Sequence, residues 1–90
     1  MSQIDIVVEF NDSAAGLVVV GIGEEILHFK NSETQSIELD PKIYLETIAG
    51  VLDPRDGAAV QVTIKKGDTV LNTRTIDDKK FIKKQFVKIN

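Results

Sequence analysis

Apolar side chains recur at every second position through much of this 90-residue chain, and that rhythm restricts what it can fold into. Ile4, Ile6, Val8 and Phe10 alternate with Asp5, Val7 and Glu9. Val60, Val62 and Ile64 alternate with Gln61, Thr63 and Lys65. Successive side chains on a strand point to opposite faces, so a period of two builds sheets that each bury one face. Two such sheets closing on each other leave an inert exterior. Ninety residues make a single domain, 1–90, with a modest core.

Punctuation between the alternating runs sets the element count. Gln3 to Phe10 reads as a strand, followed by the loop formers Asn11 to Gly16. Leu17 to Ile22 is a continuous apolar run, the pattern of a strand buried on both faces. Gly21 and Gly23 mark a bulge or tight corner there. Glu25 to Lys30 places Leu27 and Phe29 on one face, and Ile26 and His28 on the other. A turn over 31–34 and a short strand from Ser36 to Leu39 follow, with Ile37 and Leu39 inward.

The stretch from Asp40 to Leu52 admits two readings. Asp40 as a cap, Pro41 at the first position and Gly50 at the end suit a helix. Ile43, Tyr44, Thr47 and Ile48 are β-branched or aromatic and favour a strand, which is the expectation here. Beyond the loop 53–57, Ala58 to Lys65 and Thr69 to Ile76 form a hairpin around Gly67-Asp68. A plain two-residue turn pairs Ile64 with Leu71, Val62 with Thr73 and Val60 with Thr75. Phe81 to Ile89 is the last strand, with Phe86 and Val87 on opposite faces. The sum is an all-β, antiparallel β-sandwich of about seven strands.

Leu39-Asp40-Pro41-Lys42-Ile43-Tyr44 and the strand from Gly57 to Ile64 resemble small bacterial β-sandwich modules of the immunoglobulin-like and transthyretin-like kind. Such modules carry a leucine, then a proline, then an aromatic opening a strand. A proline-containing turn and a Gly-Ala-x-Val-x-Val-Thr-Ile-like strand follow. The likeness covers about a third of the chain. Lys42 and Ile43 stand where those modules commonly have a glycine, and the cysteine pair and core tryptophan of antibody domains are missing. It implies a fold and no reaction.

The inventory for chemistry is thin. The chain has no cysteine, which excludes disulfides, thiolate ligands and cysteine nucleophiles. His28 is the one imidazole, and Ser13, Ser32 and Ser36 lie in turn or strand-edge sequence rather than in a nucleophile elbow. Val18 to Gly23 begins like a dinucleotide-binding turn, but Ile26 occupies the third glycine position and no helix follows. Asp53, Asp56, Asp77, Asp78, Glu24 and Glu25 could supply calcium ligands if their loops converged. Turn chemistry explains them equally, and Arg55 is a poor neighbour for a cation. No catalytic, cofactor-binding or metal-binding residue is therefore assigned.

Charge is unevenly divided. Residues 1–59 carry three basic and eleven acidic side chains, and residues 60–90 carry eight basic and three acidic. A solvated surface accounts for this; a dipolar molecule that associates, or an anionic partner, is the sharper reading. Lys79, Lys80, Lys83, Lys84 and Lys88 form the densest basic group. In a chain of pI near 5.0 they fit an edge strand guarded against stray pairing better than a nucleic-acid surface. No run reaches the roughly 20 apolar residues that span a bilayer. The opening Met1-Ser2-Gln3-Ile4-Asp5 does not read as a signal peptide. A cytoplasmic protein and an exported domain behind a new methionine both fit.

The functional expectation is a non-catalytic interaction or structural module, bound to another protein or a larger assembly. Loops 11–16 and 53–57 and the Gly67-Asp68 turn are its variable contact regions. The alternative is a small-ligand module for carbohydrate. Phe10, Phe29 and Phe86 are expected in the core, which leaves Tyr44 and Phe81 to stack on a sugar.

Overall fold

A computed structural model describes residues 1–11, 16–53 and 57–90. Eight strands are present: β1 (Ser2–Phe10), β2 (Gly16–Ile22), β3 (Glu25–Phe29), β4 (Glu33–Leu39), β5 (Lys42–Leu52), β6 (Val60–Lys66), β7 (Thr69–Ile76) and β8 (Lys80–Ile89). They form two four-stranded antiparallel sheets, ordered β4-β1-β6-β7 and β3-β2-β5-β8. The sheet edges meet where β7 lies against β8 and β3 against β4. The count is eight, the upper end of the seven or eight that the sequence allows, because 42–52 is extended throughout, as its β-branched residues favour, and every other run also pairs.

The inner faces hold the core. Ile4, Ile6 and Val8 from β1 and Val60, Val62 and Ile64 from β6 face Val18, Val20 and Ile22 from β2 and Ile48 from β5. All of these are buried, as the alternation requires. Face-to-face sheets stand roughly 10 Å apart, so interdigitating side chains of this size fill the space.

Four local expectations change. β4 begins at Glu33 rather than Ser36, because Glu33, Thr34 and Gln35 pair with Val8, Val7 and Ile6. Backbone pairing along β1 thus carries a polar edge segment that alternation alone left in a turn. The β6–β7 hairpin slips by one residue: Lys66 pairs with Thr69 and Lys65 with Val70, but Ile64 pairs with Asn72, across an irregularity at Ile64/Lys65. This bulge turns Ile76 into the core and leaves Thr63 and Thr73 side by side outside, their hydroxyls 3.1 Å apart. In the plain register Ile76 would have faced out. β2 is buried on one face only, with Leu17, Val19 and Gly21 half-exposed on the other. Finally, Phe81 lies in the core opposite Gly50, whereas Phe86 is on the outside, 74% exposed. Val87 and Ile89 fill the inner positions near the end of β8 and fix its phase.

Turns and corners follow local chemistry. Gly23 and Gly67 open the two hairpin turns, each with φ +60°, while no other residue type has positive φ among the described residues. Glycine first with positive φ is the pattern of a type II′ turn, whose twist suits the flanking strands. The crossing from β4 to β5 is pinned by Tyr44, whose hydroxyl donates to the Asp40 carbonyl at 2.9 Å. At the opposite end, Asn11 donates through Nδ2 to the Gly57 carbonyl at 2.6 Å and accepts from the Ala59 amide at 3.2 Å.

Replacing Tyr44 with phenylalanine leaves the buried ring in place and removes its hydroxyl bond to Asp40 at the β4–β5 corner. Urea denaturation of Tyr44→Phe should show a loss of about 1–2 kcal/mol with an unchanged m-value. An unchanged midpoint would mean that the hydroxyl contributes nothing to holding the sheets together.

Candidate functional surface

The two outer faces differ sharply. Outside β4-β1-β6-β7, the side chains are mainly polar: Asp5 and Glu9 on β1, Ser36 on β4, Thr63 on β6 and Thr73 on β7. Outside β3-β2-β5-β8, the same alternation presents apolar groups. Ile26 stands 65% exposed, Ile43 63%, Ile82 70% and Phe86 74%. Leu45 and Val51 on β5 are exposed between them, and Leu17 and Val19 on β2 continue the surface.

Pairing shows that these residues share one continuous face. Leu45 pairs with Phe86, Ala49 with both Ile82 and Val19, and Val51 with Leu17. Gly21 lies between Ile26 on β3 and Thr47 on β5. The small residues Gly21, Thr47 and Ala49 floor a shallow trough of about 370 Å³, with Ile26 and Leu45 on its walls. Along the β8 edge, Lys80, Lys84 and Lys88 share the face with Ile82 and Phe86. At the β2–β3 turn, on the opposite edge, stand Glu24 and Glu25.

The expectation of an inert exterior is therefore corrected. Its physical cause is legible in β2 and β5, which carry apolar residues on both faces. A sandwich has two layers, so each strand is covered on one side only. The second apolar set of such strands has no third layer to enter. The unbroken run Leu17–Val20 and the near-continuous Ile43–Leu52 were the available signals.

The individual candidates fall elsewhere. His28 is exposed on the outer face of the edge strand β3, paired with Val19. Ser36 lies on the outside of the other sheet, where its hydroxyl donates to Asp5 Oδ1 at 2.6 Å. That bond, helped by Gln3, holds the Asp5 carboxyl below its ordinary pKa. Ser32 Oγ accepts from the Phe10 amide at 2.9 Å, and Ser13 lies outside the described residues. His28 and Ser36 thus occupy opposite exteriors. Gly21 and Gly23 sit in a strand and a hairpin turn.

The carboxylates are divided between the ends of the sandwich. Asp53, Asp77 and Asp78 are at the end that carries Asn11, and Glu24 and Glu25 are at the other. Asp78 pairs with Lys83 at 2.9 Å, and Asp56 lies outside the described residues. Among the described residues, no three histidine or acidic side chains gather as a metal site would require. The contact loops are divided in the same way, with Asn11 and Gly57 at one end and Gly67-Asp68 at the other; 12–15 and 54–56 lie outside the described residues. Tyr44 and Phe81, the aromatics left for sugar stacking, are both in the core. β8 is the edge of its sheet and carries the lysine group, with Lys84 and Lys88 on its outer side.

Among the described residues, one charged side chain is fully buried. Glu46 lies on the inner face of β5 between Tyr44 and Ile48. Gln85 Nε2 donates to its Oε1 at 2.6 Å, and Oε2 has no hydrogen-bond partner among the described residues. Burial raises the carboxyl pKa; the Gln85 bond and the charge of Arg74 oppose the rise without cancelling it. A raised native pKa means that the group favours folding fully below its ordinary value. That contribution is lost as pH rises through the native value.

Comparison with family models, with curated proteins and with solved structures finds no match.

Glu46→Gln keeps the shape and the acceptor for Gln85 while removing the charge. At neutral pH the variant should be more stable than the parent, by on the order of 1 kcal/mol. The gap should close as pH falls below about the ordinary carboxyl value of 4.5. Urea midpoints measured across this range check the sign; a gap that widens toward low pH would refute it.

Proposed function

We propose that this chain is a non-catalytic interaction module that docks onto protein through the outer face of β3-β2-β5-β8. The observation that carries the reading is the run of exposed Ile26, Ile43, Leu45, Ile82 and Phe86 on one face, opposite a polar exterior. Isolated apolar side chains on a surface are ordinary, but a contiguous patch rimmed by charge marks a contact site. Leaving it in water costs free energy that association recovers.

The residues able to do chemistry support the same reading, because they are dispersed. His28, Ser36 and the acidic turns occupy different faces and ends, so no nucleophile, base and orienting acid converge among the described residues. The rim favours protein over lipid. Lys84 and Lys88 flank one side of the face, and Glu24 stands in the β2–β3 turn at the other. A protein surface can answer both signs, whereas an anionic lipid surface would repel the carboxylate.

We also propose that the sandwich belongs with immunoglobulin-like or transthyretin-like modules. Tyr44 supports this, since its hydroxyl bonds to the backbone of Asp40 at a corner between sheets. A tyrosine corner of this type is a feature of Greek-key sandwiches.

A photo-crosslinking residue placed at Phe86 or at Val7 compares the two exteriors in cells expressing the full chain. Covalent adducts to protein should form from position 86 and be at least about tenfold weaker from position 7, as fits one apolar contact face. Equal yields from both positions, or none from either, would overturn the reading.

A further inference from the structure

We infer that the protein covering this face is a second copy of the same chain, packed sheet on sheet about a two-fold axis parallel to the strands. The inference rests on the docking reading above and adds the identity and orientation of the partner.

Area makes the first argument. Strands of 5, 7, 11 and 10 residues, spaced about 4.8 Å apart and rising about 3.4 Å per residue, offer a face of about 540 Å². Two such faces pressed together bury about 1,100 Å², which clears the roughly 1,000 Å² needed for a specific contact and places it among the smaller interfaces. A sheet face also matches another sheet face in shape. The molecule already packs its two inner faces in this way, and the outer set of Ile26, Ile43, Leu45, Ile82 and Phe86 has the same composition as that core. An isologous contact needs a patch that complements itself, and a flat aliphatic face does so.

Charge selects the orientation. Ile22 pairs with Glu25 on one side and Glu46 on the other, and Glu46 pairs with Gln85. Glu25 is therefore level with Gln85 across the sheet, and Glu24 lies one step further toward the Lys88 end. A two-fold axis along the strands carries β8 of one copy over β3 of the other and leaves heights unchanged. Glu25 shares its pairing row with the buried Ile22 and Glu46 and so lies on the core side, which leaves Glu24 in the turn as the acidic group at the rim. Lys84 and Lys88 then bracket the height of Glu24 of the second copy, twice in each dimer. One like-charge approach remains, because Lys80 falls at the height of Lys30.

A two-fold axis across the strands would instead lay β8 on β8. The lysine row would then stack on itself, with Lys84 over Lys84 and Lys80 over Lys88. The first arrangement pairs opposite charges around a desolvated apolar centre, and the second sets like charges against each other. Complementary rims of this kind fix register and exclude wrong alignments.

Sedimentation equilibrium of the purified full chain, across a wide concentration range, tests the inference. The expected species has twice the chain mass of 9.9 kDa. Ile82→Ser combined with Phe86→Ser should weaken the association by about 30-fold or more, as loss of large apolar anchors does. Both side chains are more than two-thirds exposed in a single copy, so its circular dichroism should not change. Lys84→Glu with Lys88→Glu should weaken the dimer, and adding Glu24→Lys in the same chain should restore it.

A single-chain mass at every concentration overturns the inference. So does a dimer indifferent to the Ile82 and Phe86 substitutions. Failure of the charge exchange to restore association overturns the stated orientation. The docking reading is judged separately: a monomer whose position 86 still crosslinks to a different protein keeps that reading and removes the second copy, whereas a monomer with no adducts removes both.

Discussion

Burial of one face per strand is the constraint on which the whole structure depends. The inner faces of two four-stranded sheets close on each other, and the aliphatic side chains between them supply the main favourable term in folding. Closure of two layers covers each strand once. For β1 and β6 this suffices, because apart from a half-buried Val7 their paired outer positions are polar: Asp5, Glu9, Gln61, Thr63 and Lys65. For β2, β5 and β8 it does not. Their outer positions include Val19, Leu45, Ile82 and Phe86, so the alternation that builds the core also leaves a second apolar layer without cover. The exposed apolar face is a direct consequence of the fold, and no loop or pocket has to be added to make it.

Glu46 is the inner-face counterpart of that exception. A carboxylate buried between Tyr44 and Ile48, with one oxygen unpartnered, works against stability. Its bond from Gln85 nevertheless ties it to one alignment. A slip of β8 by one residue along β5 would send Phe86 inward and Gln85 outward, separating the pair. Two polar side chains that meet only in the native register penalise the alternatives. In a strand whose apolar residues would fit either face, such a penalty helps decide which set faces the core.

Much of the architecture was legible from the residues themselves. The strands around Ile4 to Phe10 and Val60 to Ile64 follow from strict alternation, and the β character of 42–52 follows from Ile43, Tyr44, Thr47 and Ile48. The inward positions of Leu27, Phe29, Ile37 and Leu39 were readable for the same reason. The phase of β8 was not, because Phe86 and Val87 are adjacent and both apolar; only pairing with β5 resolves it. The bulge at Ile64/Lys65 was hidden too, since it is stabilised by where Ile76 ends up rather than by any local signal. The exposed apolar face was not legible from reactive side chains or aromatic stackers, because it contains few of either. Its mark was instead apolar residues on both faces of β2 and β5 in a chain that builds only two layers.

The assignment of apolar residues to inner and outer faces can be read directly from methyl-to-methyl nuclear Overhauser contacts in an isoleucine- and valine-labelled sample. The account predicts contacts between the methyls of Ile22 and Ile48 and those of Ile4, Ile6 and Ile64 on the opposite sheet. It predicts none to that sheet from Ile26, Ile43 or Ile82, whether the chain is alone or paired. Contacts from Ile43 or Ile82 to Ile6 or Val8 would place the opposite face of β5 and β8 in the core and contradict it.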